Sequence, residues 1–260
     1  MPAPSNAFKR RLHERSQQVG LFTTLNSPAV IEVLAGCGFD WILIDGEHSP
    51  SDVADVTAQL QVLASRGVSA LVRPAWSDMV LVKRLLDAGA QSLLIPYVES
   101  AEEAAAAVSY TRYPPDGVRG VMGASRAASY GQTTDYLQTA ADEICVVVQI
   151  ETAQALNNIE TIAAVPGVDA VFIGPADLAA SLGHLGDTQH PEVQAAIDDG
   201  FLRLRAIGKP SGYFTLNEDE ARARLAQGVD IVGVALDATI LRRGAIRLLS
   251  ELKDASAPAG

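Results

Sequence analysis

The chain has 260 residues, 48% of them apolar, with 31 acidic and 20 basic side chains and a formal charge of −11. That apolar share supplies a core and excludes disorder as the main state, and the length suits either two small domains or one undivided barrel. An acidic balance with pI near 4.8 repels nucleic-acid phosphates and anionic lipid, which leaves small molecules as the expected partners.

The opening MPAPSNAFKRRLHERSQQ is charged and polar, without the apolar stretch of a secretory signal. No run reaches the roughly 18 apolar residues of a membrane span, so the expected place is the cytoplasm. Short apolar, β-branched runs then alternate with longer segments of helical period. Strands are predicted at 19–23, 41–45, 69–73, 92–96, 144–150, 170–174, 210–214 and 230–235. Helices are predicted at 27–36, 51–65, 78–88, 100–110, 152–164, 191–206, 218–227 and about 237–252. Strands that are apolar throughout imply burial on both faces, as in a parallel sheet covered by helices. Eight such units in about 250 residues predict an α/β fold, a (β/α)8 TIM barrel, as one domain over 1–260 with its core at about 19–250. An open doubly wound sheet is the alternative, but no G-x-G-x-x-G follows the first strand.

Local punctuation agrees with these elements. Ser51-Asp52 and Ser100 are predicted helix starts, with Glu103 completing a capping-box pattern, and Gly89 and Gly228 fall where left-handed helix ends are expected. Cys37 and Cys145 sit in apolar runs and read as buried, reduced thiols. One connection, 112–142, is out of proportion and rich in Gly, Pro, Ser and Arg. Its Arg112, Arg119 and Arg126 read either as an anion-attracting patch or as part of a solvated excursion. The C-terminal ASAPAG is expected to fray.

In a barrel of this kind the chemistry collects where strands end, at their carboxyl edge. The second strand ends in Asp45-Gly46-Glu47-His48, the third in Arg73-Pro74, the fifth in Gln149-Ile150-Glu151 and the sixth in Gly174-Pro175-Ala176-Asp177. Glu151 and Asp177 end adjacent strands. Two carboxylates converging there would repel unless a cation lay between them, and hard oxygen donors suit Mg²⁺ or Mn²⁺. The competing reading is two unrelated helix caps. His48 alone of the four histidines stands at a strand end, where a near-neutral imidazole can carry a proton. His13, His184 and His190 read as surface residues, and no His or Cys cluster has zinc spacing. Arg73 keeps its charge and fits an oxygen gaining negative charge, although a structural ion pair is the commoner role for either residue alone. None of Lys9, Lys83, Lys209 and Lys253 ends a predicted strand, which argues against a Schiff-base lysine. The helix start after Gly174 offers free amides at Ala176 and Asp177 to a substrate carboxylate.

The segments GFDWILIDGEHSP (38–50), VRPAW (72–76), RLLDAGAQSLLIPYV (84–98), TRYPPDGVRG (111–120), VQIET (148–152) and VFIGPADLAASLGH (171–184) resemble the HpcH/HpaI aldolase family, especially its 4-hydroxy-2-oxoheptanedioate and hydroxyketoacid aldolases. The similarity runs from about residue 19 to 250. It implies a class II pyruvate-type aldolase that adds pyruvate or hydroxypyruvate to an aldehyde and cleaves 4-hydroxy-2-oxo acids in reverse. By that resemblance Glu151 and Asp177 hold Mg²⁺, Mn²⁺ or Co²⁺, and Gln149 with the Ala176 and Asp177 amides contacts the 2-oxo acid. His48 is implied as the base and Arg73 as the stabiliser of the enolate oxygen. Asp87 is implied to raise the basicity of the histidine, and Asp45 and Glu47 form an acidic pair one layer out. The family implies a hexamer, a dimer of trimers, with the last helix exchanged between protomers.

Asp87 lies near the end of the third predicted helix, which runs away from the catalytic face. At about 1.5 Å per residue it falls some ten ångströms or more below His48 of its own protomer, so a pairing with histidine points to a neighbouring one. Two departures bear on the acceptor: Phe22 stands where relatives have Trp, and Tyr213-Phe214 adds bulk near the aldehyde channel, favouring a smaller or more aromatic aldehyde. A citramalyl- or malyl-CoA-type lyase and a non-catalytic barrel are the alternatives. The first needs a longer chain and a basic surface for the CoA phosphates. The second ordinarily loses one of His48, Arg73, Glu151 or Asp177.

Overall fold

Eight parallel strands pair in the order of the sequence and close β8 against β1. In the computed structural model, which describes residues 4–255, a helix α1 (Ala7–His13) precedes β1 (Gln18–Thr23). There follow α2 (Pro28–Ala35), β2 (Trp41–Asp45), α3 (Val53–Arg66), β3 (Ser69–Arg73), α4 (Met79–Asp87), β4 (Ser92–Ile95) and α5 (Ala101–Tyr110). After a connection holding a 3-10 turn (Arg126–Gly131) and α6 (Tyr136–Glu143) come β5 (Cys145–Ile150), α7 (Ala153–Asn157), α8 (Ile159–Ala163) and β6 (Ala170–Ile173). The chain continues through α9 (Pro175–Ser181), α10 (Pro191–Ala206), β7 (Ser211–Phe214), α11 (Glu218–Ala226), β8 (Ile231–Leu236) and α12 (Asp237–Ala255). Each predicted strand is present to within a residue or so. The tail from residue 256, expected to fray, lies outside the described residues.

Alternation along each strand divides the core in two. One set, including Leu21, Ile42, Ile44, Val72, Val148 and Ile173, packs outward against the helices. The other, Phe22, Trp41, Leu43, Leu71, Leu94, Val147, Phe172 and Ile231, fills the barrel. Large and small residues interlock there: a Cβ added at Gly20 would lie 2.2 Å from the Trp41 ring, and one at Gly212 would lie 2.3 Å from that of Phe172. No larger residue fits either place without moving an aromatic ring.

The amino-terminal segment is not merely polar. Its charged residues alternate with Phe8 and Leu12, both fully buried, so that α1 closes the bottom of the barrel against Trp41. The cations of this segment meet three aspartates that precede even-numbered strands. Arg11 pairs with Asp40 at 2.6 Å, His13 with Asp169 at 3.1 Å and Arg15 with Asp230 at 3.3 Å. Each aspartate also accepts the first amides of the strand before it, from Val19, Val146 and Ser211 at 2.8–2.9 Å.

Asp52 caps α3 in a reciprocal box with Asp55, and Gly89 and Gly228 take the left-handed conformation expected of them. At α5 only half of the expected box forms: Ser100 accepts from the Glu103 amide, but the Glu103 carboxylate takes the amide of Glu99 instead. The helix predicted over 152–164 is two short helices, broken at Asn158, whose side chain donates to the Glu99 carbonyl.

Three further expectations are corrected. Cys145 is buried, but Cys37 is exposed, because the apolar run around it ends a helix and turns its thiol back to the Val33 carbonyl on the outside. The connection 112–142 is no anion-attracting patch. Arg119 is fully buried between the Tyr113 and Tyr136 rings and bonds Asp87 at 2.8 Å, Arg126 donates to the Ala88 carbonyl, and Arg112 donates to Thr111. Two of these arginines tie the connection to the end of α4. Finally, His184 and His190 are half-buried and stacked on one another at 3.5 Å.

Candidate active site

The carboxyl ends of the strands surround a cavity of about 370 Å³. Its polar wall includes Asp45, His48, Arg73, Gln149, Glu151, Ala176 and Asp177, seven of the nine site residues that the sequence pointed to, without Glu47 and Asp87. In-register pairing of β2 with β3 sets Asp45 beside Arg73, and two hydrogen bonds, Nε to Oδ1 at 2.9 Å and Nη2 to Oδ2 at 2.7 Å, lock the guanidinium as a fork. Asp45 also accepts the amides of Glu47 and His48 at 3.0 and 3.3 Å, so one carboxylate orients both the arginine and the loop that carries the histidine. The remaining guanidinium nitrogen, Nη1, lies 2.9 Å from Glu47 Oε2 as an ion pair without hydrogen-bond geometry. His48 stands at the mouth, its Nε2 3.8 Å from the same Glu47 oxygen.

Glu151, only 3% exposed, follows β5. It accepts a bond from the Gln149 side chain and another, at 3.0 Å, from the Tyr97 amide. Tyr97 holds a left-handed backbone (φ +57°), a conformation unfavourable for a tyrosine, to aim that amide. Room for Glu151 depends on Gly174, where an added Cβ would come 2.5 Å from its Oε1. Burial first, then the nearby Glu47 and Asp177 carboxylates, pushes the Glu151 carboxyl up to about 7, against the pull of Arg73. Burial also raises Glu47, despite Arg73 beside it. Three acids thus share one guanidinium, and a buried oxygen of Gln149 has no partner. A cluster of oxygen donors with surplus negative charge and an unsatisfied amide oxygen is chemically suited to a hard divalent cation.

The opposite wall is apolar. Phe22 packs at a tilt on Phe214 with ring centroids 4.5 Å apart, lies 6.1 Å from Phe172 and takes the Arg73 guanidinium over its ring at 5.4 Å, and Leu236 completes the surface. Sequence reading had singled out Phe22 and Phe214 but not Phe172, Leu236 or the Tyr97 amide. The period-2 phase of AVFI would have turned Phe172 inward, whereas in IVGVAL it would turn Leu236 outward, and Leu236 reaches the cavity through a register shift between β1 and β8 at Gly20–Phe22. Tyr213 is a correction. It faces away from the cavity toward the helices, its hydroxyl donating to Glu220 at 2.8 Å. Lining the cavity, among the described residues, there is no lysine.

Asp87 does not join this cluster. At the far end of α4 it accepts from Arg119 and touches none of the cavity residues of its own protomer.

A (β/α)8 barrel with an arginine fork, a strand-end histidine and an acidic cluster at the carboxyl edge defines a barrel enzyme working on a small oxygen-rich substrate. The family described as HpcH/HpaI aldolase/citrate lyase matches residues 18–243, and the chain belongs to that family. The hydroxypyruvate/pyruvate aldolase of Sagittula stellata is 49% identical over 96% of this chain and 99% of its own length. The 4-hydroxy-2-oxo-heptane-1,7-dioate aldolase of Klebsiella pneumoniae is 51% identical over 93% of this chain and 91% of its own. Among solved structures, a family member from Burkholderia cenocepacia superposes with a TM-score of 0.93 at 42% identity, covering 96% of this chain and all of that one.

Proposed function

We propose that this aldolase, a carbon–carbon lyase, joins pyruvate or hydroxypyruvate to an aldehyde and in reverse cleaves 4-hydroxy-2-oxo acids, with a divalent ion, Mg²⁺, Mn²⁺ or Co²⁺, held by Glu151 and Asp177. The observation that carries the reading is the Arg73 fork beside a buried glutamate crowded by further carboxylates, a negative charge that a divalent ion would offset. When bound, the ion offsets the negative charge that develops on a 2-oxo acid as it loses a C3 proton. Gln149 and the uncapped amides of Ala176 and Asp177 at the start of α9 hold the acid's carboxylate and keto oxygens. His48 takes the C3 proton and returns it to the aldehyde oxygen, while Arg73, immobilised by Asp45, donates to the enolate oxygen. Glu47 keeps the histidine oriented. The acceptor lies against Phe22, Phe172, Phe214 and Leu236, apolar side chains that suit an apolar or aromatic aldehyde better than one ending in a carboxylate.

The complete site takes two protomers in this reading. The outer face of α4 exposes Met79 and Val80, and the adjoining connection exposes Val118, Val121 and Met122, so the helix that ends in Asp87 presents an apolar surface suited to another copy. Arg119 holds Asp87 for the neighbour's His48. In α12, Leu241, Leu248 and Leu249 are exposed along one stripe, consistent with exchange of this helix in a hexamer built as a dimer of trimers. Among the described residues no helix is long and apolar enough to cross a membrane, and the unpaired thiols suit the cytoplasm, where we place the enzyme.

The test is pyruvate release from a 4-hydroxy-2-oxo acid, expected to cease with EDTA and return with Mg²⁺ or Mn²⁺. Release indifferent to EDTA would overturn the metal reading. For the shared site, His48→Ala and Asp87→Asn chains are each expected to be inactive and to regain turnover when co-refolded. No regain in mixed oligomers sinks it.

A further inference from the structure

Away from the cavity, two histidines that read singly as surface residues meet a glutamate. His184, His190 and Glu192 each offer a ligand atom within 4.8 Å of the other two. Their backbones are set by two helix ends. At the end of α9 the Gly183 amide donates to Ala180 and the His184 amide to Ala179, with Gly183 at φ +87°, a left-handed termination that fixes His184. His190 is the N-cap of α10, its Nδ1 accepting the Glu192 amide at 3.3 Å. Between them, the His190 amide bonds Asp187 and the Asp187 amide bonds His184, so the loop 183–190 is closed on itself.

We infer that His184, His190 and Glu192 form a second cation site, selective for an imidazole-binding transition ion of the Zn²⁺ class and separate from the oxygen cluster of the cavity. Two imidazoles and a carboxylate with open solvent positions are the donor set such ions take, whereas Mg²⁺ prefers oxygen alone. The two rings stack with centroids 3.5 Å apart, which brings both imidazoles to one point beside the Glu192 carboxylate. Among the described residues, no lysine or arginine pairs with Glu192, whose carboxylate receives His184 Nε2 at 2.8 Å. Two donor atoms on a tetrahedral zinc stand about 3.4 Å apart, given bonds near 2.1 Å. Binding therefore needs a small separation of His184 from Glu192 and a turn of the stacked rings, which half-buried histidines on a glycine-flanked loop and an exposed glutamate allow. The positive end of α10 opposes a cation there, and the Glu192 charge offsets it. The ion would clamp the end of α9, whose first turn carries Asp177, to the start of α10.

Equilibrium dialysis of Zn²⁺ against the full chain in excess Mg²⁺ tests this. One equivalent is expected to bind, to persist in the Glu151→Gln/Asp177→Asn chain, and to weaken at least tenfold in His184→Phe and His190→Asn. The first variant keeps a flat ring in the stack and the second keeps a helix-capping side chain, so neither removes the loop's supports. Co²⁺ under the same conditions is expected to show the strong visible bands of a low-coordinate nitrogen site in the wild-type chain and not in the variants. No bound Zn²⁺ in excess Mg²⁺, or binding unchanged in both histidine variants, overturns the site.

Discussion

The two ends of the barrel handle negative charge in opposite ways. At the bottom, Asp40, Asp169 and Asp230 each meet a strand amide and a basic side chain of the amino-terminal segment, so each carboxylate has partners that satisfy it. At the top, Asp45, Glu47 and Glu151 share Arg73, which is already committed to the first two, and Asp177 adds to the surplus beside Glu151. Balanced charge holds a fold closed. A surplus of buried negative charge, left beside a cavity, is instead a standing demand for a cation and a substrate that chelates it.

The largest break in this contrast comes from removing the surplus. Glu151→Gln is expected to lower turnover on the order of 10⁴-fold with the fold intact, read by pyruvate release alongside circular dichroism. The corresponding break at the bottom is Phe8→Ala, which opens the plug. It is expected to cost about 3–5 kcal/mol in urea denaturation while the rate per folded molecule stays unchanged. Equal losses of rate in both variants would erase the distinction between the ends. Arg73→Lys keeps the charge but not the fork, and we expect about a 10²-fold fall in kcat with a smaller change in KM for the 2-oxo acid.

The smallest effect sharpens the contrast through pH. Glu151 has its carboxyl raised from 4.5 to about 7 by burial and neighbouring acids, so the folded state holds its proton where the unfolded chain has lost it. Its contribution is fully present below pH 4.5 and is lost as the pH rises to about 7. The metal-free chain is thus expected to lose roughly 1 kcal/mol of stability per pH unit across that window. Glu151→Gln is expected to flatten this slope in denaturation curves recorded with EDTA, and an unchanged slope would contradict the assigned cause.

The sheet was legible because each strand is a short apolar run bounded by turn residues, and the sites at 45–48, 73, 149–151 and 174–177 were legible because those strands end in polar groups. A further signal went unread. GFDW, GVDA and GVDI precede β2, β6 and β8, each with a glycine in the left-handed region and an aspartate that clips the strand before it. Read as a repeat, those segments announce the bottom of the barrel. The plug itself was hidden because Phe8 and Leu12 are only two apolar residues among many charges, and what makes them core is the open barrel end above them.

Sequence alone determined the eight-unit barrel, the family and the strand-end residues, since hydrophobic period and motif are properties of a line of residues. Tertiary structure decided that Arg119 turns inward, that Tyr213 leaves the cavity while Phe172 enters it, that Asp87 belongs to another face, and that His184 meets His190. Those outcomes depend on which way a side chain points and on what distant segment lies across from it. Only closure of the chain in three dimensions sets either one.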